Sequence, residues 1–285
     1  MNIVFLVFGD TLIYHRQTYF AILTVLRHKR NHDSIIVYTD NPQYYNRLNE
    51  YVTVITLSPD VLSGWINGTG YIFRAKIKAI EDCANRNPQQ HLLFMDGDTF
   101  LFDGLDGIDT LLNSGEGVMY IDEGHPSKMK GPSLRMWNAI NGKHIDDCTV
   151  SMKHNVWNSG VIGISHANCT KVIELALKVC DEILASNVNC FTAEQYAFSI
   201  AMQQVSTINP ATPWIGHYWG NKEQWGQLIN NFLLSSYLSE QTVEQEIQSL
   251  DSSQILTTPL RIKKSNTRRR IVNILVKLFP DKIEK

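Results

Sequence analysis

Four short apolar runs in the first hundred residues limit what this chain can fold into more than any other feature. They lie at residues 3–8, 34–39, 52–57 and 92–95, and the last, Leu92-Leu93-Phe94-Met95, has no polar position. A strand apolar on both faces must be covered on both, which is the condition of a central strand in a parallel sheet. Stretches of helical period stand between the runs, at residues 18–28, with Phe20, Ile22, Leu23 and Leu26, and at residues 71–84. Strands alternating with helices imply βαβ crossovers, so this half predicts an α/β unit of nucleotide-binding style.

The second half is less regular. Strands are expected at 118–121 and 161–164, with a polar loop from 123 to about 153 between them. Residues 171–185 predict a strongly amphipathic helix. Residues 192–204 predict another, with Thr192 as N-cap and Glu194 and Gln195 in the first turn. Hydrophobic residues make up 44% and charged residues 19% of the 285, which suits a packed core and excludes a wholly disordered chain. The formal net charge of −2 argues against a globally basic nucleic-acid binder. Cys83, Cys148, Cys169, Cys180 and Cys190 have no metal-site spacing and read as free thiols of a reducing compartment. The apolar opening run lacks a basic flank and a cleavage site, so it reads as a strand and the protein as cytoplasmic. No run approaches the ~20 apolar residues that cross a bilayer.

The most informative string is Phe94-Met95-Asp96-Gly97-Asp98-Thr99. In open α/β sheets ligands bind beyond the carboxyl ends of the strands, which is where this acidic pair falls. Extended alternation predicts that Asp96 and Asp98 share one side and reach one hard divalent cation. A solvated turn closing the strand is the other use of such residues. Phosphatases of the haloacid-dehalogenase type also place DxD after an apolar strand. Their pattern needs Thr or Val where this chain has Phe100, and an early strand where this one follows a whole βαβ half.

With these residues in view, the chain resembles GT-A-fold glycosyltransferases and, within them, is similar to glycosyltransferase family 8. The matches occur in the family's order: Val7-Phe8-Gly9-Asp10, Phe73-Arg74-Ala75-Lys76, Asp96-Gly97-Asp98, Asn158-Ser159-Gly160-Val161, Glu194-Gln195 and His217-Tyr218-Trp219-Gly220. The chain departs from the pattern at Glu194, where the family has Asp, and at Glu223-Gln224-Trp225, which replaces Lys-Pro-Trp and displaces Lys222. The resemblance implies an α/β, Rossmann-like GT-A fold: a mixed, mainly parallel sheet flanked by helices. It would occupy residues 1–230, with 1–105 as the nucleotide-binding half and 106–230 as the acceptor half. It further implies Mn²⁺ or Mg²⁺ held by Asp96, Asp98 and His217, a donor set somewhat better suited to manganese. The implied substrate is a nucleotide sugar, UDP-linked, contacted by Phe8, Asp10, Tyr14, Asp40, Arg74, Asn158, Gly220 and Lys222. Among these, Asp40 would accept the uracil N–H and Tyr14 would stack on the base. Arg74 and Lys222 would add positive charge near the phosphates or sugar, and Asn158 would meet sugar hydroxyls. Arg74 has an alternative use, pairing with Glu81 or Asp82 along its own helix.

Glu194 and Gln195 bear on stereochemistry. In a retaining transfer the acceptor attacks from the face of the departing phosphate, and the resemblance gives Glu194-Gln195 the task of stabilising the sugar cation. An inverting transfer needs a carboxylate base on the acceptor side, for which Asp122 or Glu123 would serve. Retention is the expectation adopted; a non-catalytic sugar-nucleotide-binding scaffold is the alternative from another class. Residues 261–285 contain nine Lys or Arg and two Asp or Glu, so a +7 end is hidden in the total. Arg268-Arg269-Arg270 followed by the apolar run 271–279 predicts a helical segment within 231–285 that meets an anionic membrane surface. A glycan or lipid-linked acceptor of surface-polysaccharide or lipopolysaccharide synthesis, at the inner face of the cytoplasmic membrane, fits that expectation. A helix packed on the domain is the alternative, and no nucleic-acid partner is expected.

Overall fold

The computed structural model describes residues 1–262 apart from 152, 187, 189 and 190. The strands are β1 (Asn2–Leu6), β2 (Ser34–Thr39), β3 (Thr53–Thr56), β4 (Leu92–Met95), β5 (Thr99–Leu101), β6 (Gly117–Met119), β7 (Asp122–Gly124), β8 (His144–Ile145), β9 (Cys148–Thr149), β10 (Val156–Trp157), β11 (Val161–Ile164), β12 (Ile208–Pro210) and β13 (Ile215–His217). The helices are α1 (Leu12–His28), α2 (Pro59–Ile66), α3 (Arg74–Arg86), α4 (Asp106–Asn113), α5 (Pro132–Ile140), α6 (Cys169–Ala185), α7 (Ala193–Val205), α8 (Lys222–Leu238), α9 (Val243–Ser249) and α10 (Ser252–Thr257).

Seven strands form one sheet in the order β12-β6-β11-β4-β1-β2-β3. Every neighbouring pair is parallel except those made by β11, which runs antiparallel to both β4 and β6. The sheet is therefore mixed and mainly parallel, as the family resemblance implies. The period of two in the central strands divides their side chains between two cores, one per face. Ile3, Phe5, Ile35, Val37, Leu93 and Met95 join α1 and α8, while Val4, Ile36, Tyr38, Leu92 and Phe94 join α3, α6 and α7.

The reversal of β11 matters for function. Val161 pairs with Met95, so the start of β11 lies beside the carboxyl end of β4 and delivers Asn158-Ser159-Gly160 there. A separate two-stranded pair, β5 with β13, sets Thr99 opposite His217.

The structure differs from the sequence expectations at several boundaries. The first helix begins at Leu12, six residues before the predicted start, which puts Tyr14 in its first turn. The loop expected from 123 to 153 contains β7, α5 and the β8–β9 hairpin; Met136, Trp137 and Ile140 bury one face of α5. Helix α8 runs through residue 230, and α9 and α10 add Val243, Leu250 and Ile255 to the core that holds Ile3 and Phe5. Glu246 of α9 is buried and accepts from Tyr19 Oη at 2.9 Å and Arg47 at 2.8 Å. Among the described residues no helix is long and apolar enough to cross a membrane. The expected basic helix, beyond Ile262, lies outside the described residues, as does Cys190.

Candidate active site

The chain turns sharply as it leaves β4. Asp96-Gly97-Asp98 is a turn, where an extended continuation was expected, and Thr99 closes it by donating its N–H and Oγ1–H to Asp96 O at 3.1 and 2.7 Å. Gly97 is demanded by space, since a Cβ there would meet Thr18 Oγ1 of α1 at 2.4 Å. Both carboxylates nevertheless face one cleft. The β5–β13 pairing brings His217 to them, and Tyr218 N–H reinforces the approach by donating to Asp98 O at 3.1 Å. One ligating atom each from Asp96, Asp98 and His217 lies within 4.8 Å of the others.

A hydrogen-bonded chain orients this trio. His217 Nδ1 meets Asn158 Oδ1 at 3.1 Å, which places a proton on Nδ1 and turns Nε2 toward Asp98 Oδ1, 3.2 Å away. Asn158 Oδ1 also accepts from Gly160 N–H at 3.0 Å, and its Nδ2 donates to Glu123 Oε1 at 3.0 Å. Gln195 Nε2 donates to the other Glu123 oxygen at 3.1 Å. Imidazole, amide, carboxylate and amide are thus joined across the cleft.

On the opposite side the buried Lys76 ammonium lies 3.0 Å from Asp96, 3.1 Å from Glu194 and 3.3 Å from Ser159 O. Burial works against its charge, yet the two carboxylates outweigh burial and raise its pKa above the ordinary lysine value. Glu194 is saturated: Oε1 also accepts from Ser159 Oγ at 2.7 Å, and Oε2 accepts from Tyr71 Oη at 3.0 Å. Burial, helped by the neighbouring Asp98 charge, raises the Asp96 pKa despite Lys76. Burial would do the same to Asp98, but the His217 hydrogen bond and charge and the Lys222 ammonium, 2.8 Å away, hold it below the usual carboxylate range.

These groups line a cleft of about 600 Å³. Phe8, Tyr14, Asn158, Glu194, Gln195 and Lys222 line it together with the three potential ligands. The remaining sequence candidates stand elsewhere. Arg74 makes a two-point bond to Asp181 of α6, at 2.7 and 3.0 Å, and donates to Trp65 O; its partner is neither Glu81 nor Asp82. Asp40 accepts Gly9 N–H with both oxygens, at 3.1 and 3.0 Å, and so shapes the turn in which Asp10 is exposed. Asp122 accepts from Gly124 N–H and from Asn155 Nδ2, each at 2.7 Å, outside the cleft lining. Gly220 faces Arg261. Sequence reasoning missed Lys76, Ser159 and Tyr71. The one signal for Lys76 was its place a turn before Ala79 and Ile80, both buried, on the apolar face of α3.

No family model matches the chain, and no curated protein matches it. Among solved structures it is similar to the galactosyltransferase LgtC in complex with donor and acceptor sugar analogues, at 16% identity over 73% of each chain and a TM-score of 0.47. An active-site mutant of LgtC aligns at 14% identity over 73% of this chain and 72% of that one, with a TM-score of 0.47. Mouse xyloside xylosyltransferase 1 in its apo form aligns at 12% identity over 74% of this chain and 85% of that one, also with a TM-score of 0.47.

Proposed function

We propose that this protein is a metal-dependent glycosyltransferase of the GT-A type that takes a UDP-linked sugar and transfers it with retention to a glycan or lipid-linked acceptor. One observation carries the reading: two carboxylates and an imidazole converge within 4.8 Å at the floor of a 600 Å³ cleft, beyond the carboxyl end of a central strand. The donor set fits a divalent cation. His217 Nε2 and an Asp98 oxygen face each other 3.2 Å apart, with Asn158 orienting the ring through Nδ1, and a divalent cation displacing the proton between them would take both as ligands. Such an ion, Mn²⁺ or Mg²⁺, would offset the charge that builds on the leaving diphosphate.

The protein groups divide the remaining work. Lys222, on the cleft side of Asp98, would contribute positive charge to the phosphates. Phe8 and Tyr14 offer apolar and aromatic surface for the base, and Asn158, Glu123 and Gln195 offer a polar wall for sugar hydroxyls. Glu194 is held by Lys76, Ser159 and Tyr71, which suits a fixed negative charge near a sugar cation better than a proton-accepting base. Retention is supported by that immobility; of the two carboxylates that inversion would use, Asp122 bonds to Gly124 and Asn155 outside the cleft lining, and Glu123, inside it, already accepts from Asn158 and Gln195. The basic sequence of 261–285 supports an acceptor presented at an anionic membrane surface, as in surface-polysaccharide or lipopolysaccharide assembly on the cytoplasmic side.

Calorimetry with UDP and a panel of UDP-sugars, with and without Mn²⁺, tests the reading on the wild type and on Asp98→Ala. Metal-dependent binding that Asp98→Ala abolishes is the expected result. Failure of every nucleotide to bind the wild type at saturating Mn²⁺ would overturn it.

A further inference from the structure

Residues 217–222 deliver three cleft-lining side chains, His217, Trp219 and Lys222, and the outer side of this loop is held by the last described stretch of the chain. Gly220 bridges Arg261 in parallel register, and Ile262 N–H donates to Gly220 O at 3.3 Å. The approach is close enough to require glycine, because a Cβ on Gly220 would lie 2.5 Å from Arg261 Cγ and 3.4 Å from its Cα. The Arg261 guanidinium lies over the Trp219 ring, 4.4 Å from its centroid, while Trp219 itself lines the cleft. Pro259 O accepts two side-chain donors, Asn221 Nδ2 of the loop at 2.6 Å and Trp225 Nε1 of the first turn of α8 at 3.2 Å.

Asn221 shows how strongly this grip is favoured. It stands at the N-cap of α8, where an asparagine oxygen ordinarily accepts from the helix's first free N–H groups. Here the amide is turned the other way. Nδ2 reaches Pro259 O and Gln224 Oε1, no cap bond forms, and Oδ1 is buried without a partner. A local bond worth making has been given up for one to a segment 38 residues further along the chain.

We infer that residues 259–262 are a strap that sets the shape of loop 217–222 for the nucleotide, and that Arg261 is a positioning residue acting through Trp219. This rests on the transferase reading above. His217 has separate supports, its pairing in β13 and its bond to Asn158, so the strap governs the Trp219–Lys222 side of the cleft and not the metal ligands. Losing the strap therefore weakens nucleotide binding selectively.

The test uses the full chain and two probes, Mn²⁺ alone and UDP at saturating Mn²⁺, with the wild type, Arg261→Ala, Arg261→Lys and Asn221→Ser. Arg261→Ala is expected to weaken UDP about three- to tenfold, the range a cation–π contact supports. Its Mn²⁺ affinity and melting temperature stay at wild-type values, and Arg261→Lys, which keeps a cation over the ring, recovers most of the loss. Asn221→Ser keeps an N-cap oxygen on a side chain too short to reach Pro259 O, and is expected to show the same selective loss. Unchanged UDP affinity in Arg261→Ala, or equal losses for Mn²⁺ and UDP, would overturn the strap alone. A wild type that binds no UDP would instead remove the transferase reading, and the strap's role with it.

Discussion

Replacing Gly160 with alanine probes the geometry of the Asp96–Asp98–His217 trio, and its proposed role as a metal site, most directly. Gly160 has no positive φ, so the substitution tests contact and not backbone conformation. The new methyl would stand 2.2 Å from Cε1 and 2.3 Å from Nδ1 of His217, whereas carbon atoms rest at roughly 3.5–4.0 Å. Ring or strand must therefore retreat by more than about 1 Å. The strand is held because Gly160 O accepts from Asp96 N–H at 2.8 Å. The ring is held by Asn158 and by the edge-on Tyr120 ring, whose centroid is 5.1 Å away. Overpacking of this kind costs about 1–3 kcal/mol. A ligand moved by about 1 Å leaves the ~0.2 Å tolerance of a metal site, so Mn²⁺ affinity should fall at least ~10–100-fold. Mn²⁺ titration followed by electron paramagnetic resonance reads the affinity, and urea unfolding reads the stability. The same change made in a His217→Ala background removes the clash, so the stability cost of Gly160→Ala should nearly vanish there, a coupling of roughly 1–2 kcal/mol. Wild-type Mn²⁺ affinity in Gly160→Ala, or equal stability costs in both backgrounds, would refute the reasoning.

Lys222→Met frees an Asp98 oxygen that the ammonium now occupies, so Mn²⁺ alone should bind more tightly while UDP at saturating Mn²⁺ binds more weakly; calorimetry showing both changes in one direction would contradict this. Acid stability follows Arg30. Burial would raise the Asp33 pKa, but hydrogen bonds from the Arg30 side chain and backbone and from the N-terminal amine outweigh it, and the Arg30 hydrogen bond lowers the Asp109 pKa, so both sit below their ordinary 3.8. Depressed carboxylates contribute stability above about pH 4 that is lost as pH falls through their folded values, so Arg30→Met should be less stable at neutral pH and lose less on acidification; parallel pH profiles would exclude the linkage. Burial pushes the Cys83 and Cys169 thiols up to about 12, so both should resist alkylation in the native protein at pH 8 and react once it is unfolded, as peptide mass mapping would show.

The layout of the sheet was legible because the central strands bury both faces, and a run such as Leu92–Met95 admits few other structures. The acidic turn was legible because it follows such a run. Direction within the sheet was not: nothing in Val161-Ile162-Gly163-Ile164 marks β11 as the reversed strand, since an apolar run reads the same both ways. The choice between Arg74 and Lys76 was equally hidden. Two residues on a helix are separated by about 200°, so only one of them can face the cleft, and the packing of α6 against α3 decided that Arg74 meets Asp181. Helix α5 went unread because Met136, Trp137 and Ile140 sit in a stretch otherwise rich in Lys, Gly and His. The strap escaped sequence reading because it joins residues about 40 apart through a backbone bridge, the Pro259 carbonyl and one stacked ring, and none of these leaves a periodic signal.

The two lysines of the cleft divide its charge balance. Asp96, Asp98, Glu194 and Glu123 line the cleft with Lys76 and Lys222, an excess of two negative charges that one divalent cation would cancel. Lys76 is buried and hydrogen-bonded to three oxygens, so it is a fixed part of the wall between Asp96 and Glu194. Lys222 is half exposed and pairs with Asp98 at 2.8 Å. Under the transferase reading, a cation entering beside Asp98 competes with that ammonium, while an arriving diphosphate offers it a new partner on the cleft side. The same lysine then hinders the metal when it binds alone and assists the nucleotide when both are present. Because Lys222 opens α8 immediately after the Asn221 that grips Pro259, the strap fixes the point from which this ammonium swings.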